Sequence, residues 1–355
     1  MKILHTYCLN YNIGDYALGV GLKNLLRHYL DVDMIGNTNI QGRNFDEYYI
    51  NEVVNKKYDL LVIGGGGIIH GSHWPNGWFW LIEKNLIQSI KIPFIVYGVG
   101  DNYFADETVP DKAVKHLLET NRNATFFSVR NDGSHERVLD QTGIDAFEVP
   151  DPGFHVSLDC SYKRTQEEPY IIIQLADDKP IQRFGNKNDR KIFIESMRKI
   201  TKKLSGQYKV IFAPHVFDDI SLSKEVAKDI PNCELWEFGY MAFDHIERAL
   251  QYYKYAEFVL SMRGHGQIIP ISFNVPVVSL QNHPKHAGLM ARLDLMEYNV
   301  DLREPNFTDK LEGVIDKVII NRIDLIRLYK DINHQLSDKT EKAFYKIKEN
   351  LGDKA

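Results

Sequence analysis

The sequence predicts an α/β protein built from two doubly wound domains that face a cleft. Three observations carry this. The chain has 355 residues, long for one hydrophobic core and comfortable for two at roughly 150 residues each. Short apolar strands alternate with amphipathic helices through both halves, the pattern of parallel sheets covered on both faces. Between the halves, residues 157–169 (SLDCSYKRTQEEP) are polar and lack an apolar period, so they read as a linker. The expected layout is a first domain over 1–156, a second over 170–320, and charged closing helices over 321–355 that are free to pack back on the first domain.

Taken in order, KILHTY opens the chain as a strand, and a polar loop runs from Asn10 to Asp15. YALGVGLKNLLRHYL follows as a helix, its apolar residues Leu18, Leu22, Leu25, Leu26 and Tyr29 recurring at three- and four-residue steps. The strand YDLLVIGG runs into Gly64–Gly67, then come a helix over WLIEKNLIQSI and a strand over IPFIVYGVG. A helix at 111–122, the strand FFSVR and a helix SHERVLDQTG, capped by Ser134 and stopped by Gly143, lead to AFEVPDPGF. The second half reads YIIIQLA (strand), a helix near 189–205, YKVIFAP (strand), a helix, ELWEF (strand) and a helix at 243–255. Residues 255–285 then give the strand EFVLS, a polar turn, the short helix QIIPISF and the strand PVVSL. Pro270 is expected near the first turn of that helix, where a missing N–H costs least.

Composition narrows the classes of function. Hydrophobic content is 44% and charged content 26%, with a net charge of −5 and a pI near 6.2. There is no basic excess to bind nucleic acid, so an anionic ligand must be held by a local cluster of cations. Cys8, Cys160 and Cys233 are odd in number and far apart, which fits neither a disulfide framework nor a zinc site and points to a reducing compartment. The first residues turn polar too early for a signal peptide, and no apolar run reaches the ~18 residues of a membrane span. The expected location is the cytoplasm.

The chemistry concentrates where strands give way to turns. A β-turn-α-β unit puts its turn at the carboxyl edge of the sheet, where open α/β folds bind ligands. Arg263-Gly264-His265-Gly266 brings there a fixed cation, a titratable ring and two glycines, backed by the positive end of a helix. The turn reads as an anion site. Lys285 follows the next strand and returns to the same edge. Gly64–Gly67 suggests close backbone approach to a ligand, or else a tight turn without one, but fits neither a dinucleotide fingerprint nor a P-loop. His70, His73 and Trp74 follow it with rings suited to sugar stacking. Asn12 and Asp15 face the edge after the first strand, where Asp15 serves equally well as a helix cap. Arg130 ends FFSVR, and His215 ends YKVIFAP shortly before Asp218 and Asp219, where it reads either as a general base or as an ordinary loop histidine. His283 and His286 have the spacing of a helical metal pair but no third ligand, so no metal site is expected.

Together these pieces resemble the polysaccharide pyruvyl transferase family. The resemblance runs through Asn12-Ile-Gly-Asp15, Asp59 with Gly64–Gly67, IPFIVYGVG, SVRNDGS at 128–134, VPDPGF at 149–154, Pro214-His215 with Asp219, RGHG at 263–266 and Lys285. Family members often carry Leu-His-Ala after the arginine and Arg-Asp in the first-domain motif. Here Gly264-His265-Gly266 and Arg130-Asn131 stand instead. The resemblance implies Rossmann-like domains in the arrangement of the two-domain (GT-B) glycosyltransferases. It also implies transfer of the pyruvyl group of phosphoenolpyruvate to a sugar as a ketal, in the making of capsule, exopolysaccharide or another cell-surface glycan. In that reading the donor is held by Arg263, Lys285, Gly264 and Gly266 of the second domain together with Arg130 of the first. His265 is the general acid, and His215 or Asp15 the base. The first domain holds the acceptor through Asn12, Gly65, Gly66, Gly67, His70, His73 and Trp74. No cofactor beyond the co-substrate phosphoenolpyruvate is called for. The acceptor is a saccharide, lipid-linked or nucleotide-linked, and peripheral contact with a membrane surface stays open. The alternative is a glycosyltransferase of the same architecture using a nucleotide sugar, which needs a carboxylate near the donor turn to hold the ribose. Residues 255–290 offer only Glu257.

Overall fold

The apolar runs of the sequence become the strands of two parallel six-stranded sheets in a computed structural model that describes every residue except 70–73, 75, 105, 106, 108, 160, 165 and 353–355. The contacts divide the chain into two units. Unit 1 is Met1–Leu9, Leu18–His155 and Gln335–Ala355, and unit 2 is Asn10–Ala17 and Val156–His334. The short segment Asn10–Ala17, read from the sequence as part of the first half, thus makes its contacts in unit 2.

The first half runs β1 (Lys2–Tyr7), α1 (Ile13–Tyr29), β2 (Met34–Asn39), a π-helical turn at Tyr49–Val54 leading into α2 (Asn55–Lys57), and β3 (Leu60–Ile69). It continues with β4 (Phe94–Asp101), α3 (Asp111–Asn123), β5 (Phe126–Arg130), α4 (Ser134–Thr142) and β6 (Phe147–Val149). Its sheet is ordered β2-β1-β3-β4-β5-β6, and every pair is parallel. Alternate residues feed two separate cores, because side chains along a strand point to opposite faces. Leu4, Leu61, Ile63, Phe94 and Val96 enter one, with Trp78 and Trp80. Ile3, Leu60, Val62, Ile95 and Tyr97 enter the other, where Ala343, Phe344, Ile347 and Leu351 complete the packing.

The second half runs β7 (Tyr170–Gln174), α5 (Pro180–Phe184), α6 (Lys187–Ser205), β8 (Lys209–Phe212), α7 (Asp218–Ala227), β9 (Cys233–Leu235) and α8 (Phe238–Tyr255). Then come β10 (Val259–Ser261), α9 (Gly264–Ser272), β11 (Val277–Gln281), α10 (Pro284–Arg292), β12 (Asn299–Asp301), α11 (Phe307–Ile320) and α12 (Arg322–Leu351). Its sheet is ordered β12-β11-β10-β7-β8-β9, again parallel throughout. The order reverses between β7 and β10, so the crevice at their carboxyl ends is the topological switch point. Among the described residues no helix is long and apolar enough to cross a membrane.

Several local expectations need correcting. Gly64–Gly67 does not follow a strand as a turn; it lies inside β3. A Cβ at Gly64 would run into the Tyr97 carbonyl, one at Gly65 would stand 3.0 Å from the Gly98 carbonyl oxygen, and one at Gly67 would stand 3.0 Å from Asn102. Close packing against β4 therefore demands these glycines without any ligand. WLIEKNLIQSI forms only a 3-10 helix over Lys84–Ser89, because Trp80 and Ile82 enter the core from a tight non-helical turn in which the Ile82 N–H donates to the Trp80 carbonyl at 2.9 Å. Ser134 is not the cap of α4. Gly133 holds that position with φ 82°, and the Asp132 carboxylate accepts from the Ser134 N–H at 3.2 Å. Pro270 is the seventh residue of α9, not in its first turn, because the helix begins at Gly264 rather than Gln267.

Candidate functional site in unit 2

Several elements of unit 2, with the first turn of α1, bring polar side chains to the switch-point edge of its sheet. β10 ends at Ser261, and the chain turns through Arg263 straight into α9, with extended backbone at Arg263 (φ −120°, ψ 143°). The Ser261 hydroxyl accepts from the Arg263 N–H at 3.1 Å and fixes the turn. A Cβ at Gly266 would collide with that hydroxyl, which explains one glycine of the motif. A Cβ at Gly264 would meet nothing within 4 Å. The space above the first turn of α9 is open, and the N–H groups of that turn have no partner within the helix.

The Arg263 guanidinium is fixed in direction by two carboxylates. Its Nε donates to Asp219 Oδ2 at 2.7 Å and its Nη2 to Asp219 Oδ1 at 2.6 Å, a two-pronged pair, while Nη2 also reaches Asp178. Asp219 sits in the first turn of α7, wholly buried, and Asp178 lies just past β7. Burial opposes the charge on Arg263, but Asp219 and Asp178 outweigh it and hold its pKa above the usual arginine value. Burial likewise pushes the Asp178 carboxyl up, and Arg263 and Arg183 overcome this and hold it well below the usual range. Arg183, on α5, grips both Asp178 oxygens at 2.9 and 3.0 Å and Asn282 at 2.9 Å.

The remaining groups close around this pair. Asn12 accepts from the Gly14 N–H at 3.0 Å and so takes the capping position of α1 that Asp15 was free to take. Asp15, three residues on and partly exposed, has its carboxyl pushed up to about 6 by burial, against the pull of His265, of hydrogen bonds to Asn12 and Asn10, and of Lys285. His265 and Lys285 thus both favour the ionised form of Asp15. A Cβ at Gly14 would collide with the His265 ring, so that ring lies flush against the backbone of α1's first turn. Lys285 is in the first turn of α10, where the His283 ring accepts from its N–H at 3.3 Å.

The sequence-predicted residues thus divide. Asp15, Asn12, Arg263, Gly264, His265, Gly266 and Lys285 assemble in unit 2. His215 joins them but is fully buried; its Nε2 is 2.6 Å from the Tyr253 hydroxyl, and burial, then Arg263 and His265, force its pKa well below the histidine value. Arg130 belongs to unit 1, where its side chain is buried with Asp132 at 2.6 Å and Asp151 at 3.2 Å. Gly65, Gly66, Gly67 and Trp74 also lie in unit 1, Trp74 edge-on to Phe79 with ring centres 5.0 Å apart. His70 and His73 fall outside the described residues. Sequence reasoning missed Asp178 and Arg183. The Ala-Asp-Asp that follows the first strand of the second half was the available signal, since that strand borders the switch point.

His283 and His286 are both buried, with ring centres 6.0 Å apart, and no group of three or more ligating side chains converges among the described residues. Glu257 precedes β10 and so lies at the opposite end of that strand from Arg263, paired with Arg322 at 2.8 Å.

Comparison with solved structures identifies the architecture. The S. aureus MnaA–UDP co-structure matches over 99% of this chain and 97% of its own, with 14% identity and a TM-score of 0.60. The UDP-GlcNAc 2-epimerase of Methanocaldococcus jannaschii matches over 89% and 92%, with 15% identity and a TM-score of 0.55. The spinosyn rhamnosyltransferase SpnG matches over 96% of each chain, with 11% identity and a TM-score of 0.53. At such identities the likeness establishes the fold alone, the GT-B-like pair of doubly wound sheets anticipated from the sequence. Comparison with curated protein sequences returns no match. The family model described as polysaccharide pyruvyl transferase matches residues 12–284, a span that runs from the Asn12 cap to the first residue of α10. The chain belongs to the polysaccharide pyruvyl transferase family.

Proposed function

We propose that unit 2 binds phosphoenolpyruvate and that the protein transfers its pyruvyl group to two hydroxyls of a sugar, forming a ketal and releasing phosphate. One observation carries the reading: at the amino end of α9 Arg263 precedes open space at Gly264, the His265 ring packs on Gly14 beside Asp15, and His265 and Lys285 both act on the Asp15 carboxyl. Phosphoenolpyruvate carries close to three negative charges. The cations offered to it are not bare, since Asp219 and Asp178 already balance Arg263. Attraction therefore rests on Lys285, the amino end of α9 and the outer face of a guanidinium held still by its two carboxylates. That arrangement favours a ligand of fixed shape over any diffuse anion.

The chemistry needs one proton delivered and two removed. His265 donates a proton to the methylene carbon, which becomes the methyl group, and the neighbouring carbon takes oxocarbenium character. One sugar hydroxyl attacks that carbon and gives its proton to Asp15. A second hydroxyl attacks and displaces phosphate, which leaves with the remaining proton. Asp15 suits the base role because a carboxyl raised to about 6 is mostly ionised at neutral pH yet more basic than an ordinary one. The product is a glycan of the cell surface, such as capsule or exopolysaccharide, made on the cytoplasmic side. The nucleotide-sugar alternative loses its one candidate carboxylate, since Glu257 is paired away from the donor turn.

The test is phosphate release from phosphoenolpyruvate in the presence of saccharide acceptors. His265→Gln is expected to lower kcat about 10²–10⁴-fold with little change in the KM for phosphoenolpyruvate. Undiminished turnover in that variant, or tight UDP binding by the wild type with no response to phosphoenolpyruvate, would sink the assignment.

A further inference from the structure

Four large aromatic rings stand in the open on unit 2 beside this cluster: Tyr11 is 43% exposed, Tyr240 54%, Phe243 54% and Phe217 56%. A folded protein rarely leaves so many rings together without a use for them. They do not merely share a surface. The Tyr11 ring centre is 5.3 Å from that of Phe217 and 5.0 Å from that of Phe243, and both pairs are tilted rather than stacked. The rings are also built in. Gly239 presses so closely on the His215 and Tyr11 carbonyls that a Cβ there would overlap both, which docks the start of α8, with Tyr240 and Phe243, against the two loops. Beyond Phe243, α8 breaks at His245 (φ −149°, ψ 86°), so its first two turns form a separate piece carrying two of the four rings.

Two features tie the rings to the reaction. Tyr11 immediately precedes the Asn12–Asp15 segment, and Phe217 lies between His215 and Asp219 in the loop that steadies Arg263. Three of the rings, Tyr11, Phe217 and Tyr240, also line a small hollow with Glu237 and Pro214. The polar groups in that hollow decide between occupants. A carboxylate and two tyrosine hydroxyls suit a ligand that offers hydroxyl groups, whereas a lipid chain gains nothing from them and must desolvate the carboxylate. A pyranose ring matches both parts, since its polarised C–H face rests on the electron-rich face of an aromatic ring while its edge hydroxyls bond outward.

We propose that Tyr11, Phe217, Tyr240 and Phe243 form a saccharide subsite that holds the acceptor next to Asp15, so that the second half of the chain contributes acceptor contacts as well as donor contacts. The proposal rests on the pyruvyl-transfer reading for its role but has its own test. Full-length protein is mixed with methyl β-D-glucopyranoside or methyl β-D-galactopyranoside, and saturation-transfer NMR reads the sugar C–H protons. Phosphoenolpyruvate binding is followed separately by phosphorus line broadening. Saturation of one glycoside in the wild type is expected to fall at least fivefold in the Phe217→Ala/Phe243→Ala double variant, with phosphoenolpyruvate broadening retained. Phe217→Leu, which keeps apolar bulk but removes the ring face, should lose about as much signal as Phe217→Ala. Both rings are more than half exposed, so these changes leave the fold intact. Equal saturation in wild type and double variant overturns the subsite, as does binding of phosphatidylglycerol vesicles that depends on the same rings without glycoside binding. Glycoside binding that depends on the rings, with no response to phosphoenolpyruvate, upholds the subsite and overturns the donor reading.

Discussion

Arg130 and Arg263 make the same ionic arrangement in two different settings. Each ends a parallel strand or the turn just after it, and each is gripped by two aspartates: Asp132 and Asp151 for Arg130, Asp219 and Asp178 for Arg263. The first trio is sealed, with side-chain exposures of 6%, 6% and 1%. The second is partly open, 15% at the arginine and 32% at Asp178, and beside it is the unfilled space at Gly264. A buried triad by itself is weak grounds for a binding site, since its charges already satisfy one another. What separates the two is the open space at the amino end of the helix next to Arg263.

The contrast is sharpest in a pair of deletions. Arg130→Ala removes the buried counter-charge of Asp151 and the nearer of Asp132's two cations, leaving Arg137 at 3.6 Å, and is expected to cost about 3–5 kcal/mol of stability, seen as a large fall in Tm. Arg263→Ala should cost less stability, because Arg183 still pairs Asp178, yet lower phosphoenolpyruvate-dependent phosphate release by roughly 10²–10³-fold or more. If Arg130→Ala folds normally and loses the reaction instead, the comparison collapses.

A smaller effect distinguishes two glycines of the site. Gly14→Ala drives a methyl group into the His265 ring and should lower kcat about tenfold or more while the fold survives. Gly264→Ala meets no protein atom, so stability should hold or rise slightly, while the KM for phosphoenolpyruvate rises because the methyl occupies the donor's space. An unchanged KM there would mean the donor lies elsewhere.

The mildest test is in the pH dependence. Because burial raises the folded-state pKa of Asp15 to about 6, the folded protein holds that proton more tightly than the unfolded chain between about pH 4 and 6. Stability from this group therefore falls as pH rises through that window, and the ionised carboxyl costs roughly 3 kcal/mol at most above it. Asp15→Asn should raise Tm at pH 7.5 relative to wild type and leave it nearly unchanged at pH 4. The same variant should lose the rise of kcat with pH centred near 6. A wild-type profile flat across pH 5–7 would remove Asp15 from the base role.

The fold was largely readable because its strands are short, apolar and buried on both faces; YIIIQ and FFSVR could be little else. The edge strands β2 and β12 escaped notice, since MIGNTN and NVD are too polar or too short to signal a strand on their own. The site was half legible. Arg263, His265 and Lys285 announce themselves by following strands, and Asp15 by preceding a helix. Asp178 and Arg183 do not, because their importance comes from the strand order, which puts β7 beside β10 across 80-odd residues of chain. Gly64–Gly67 misled for the opposite reason: four glycines in a row look like ligand contacts, and only the neighbouring strand shows how little room there is for anything larger.

The thirty-residue α12 has a bearing on how the molecule comes into being. Its residues through His334 count with unit 2, while Ala343, Phe344, Ile347 and Leu351 fill a core of unit 1 whose other members were synthesised some two hundred residues earlier. Domains commonly fold in the order in which they leave the ribosome. Here the amino-terminal sheet must wait with part of one face, beside Leu22, Leu25 and Leu26 of α1, uncovered until α12 arrives. A fragment stopping at His155 would display that greasy patch to solvent and be prone to clump, whereas unit 2 lacks only a short amino-terminal segment that is already made when its own strands emerge.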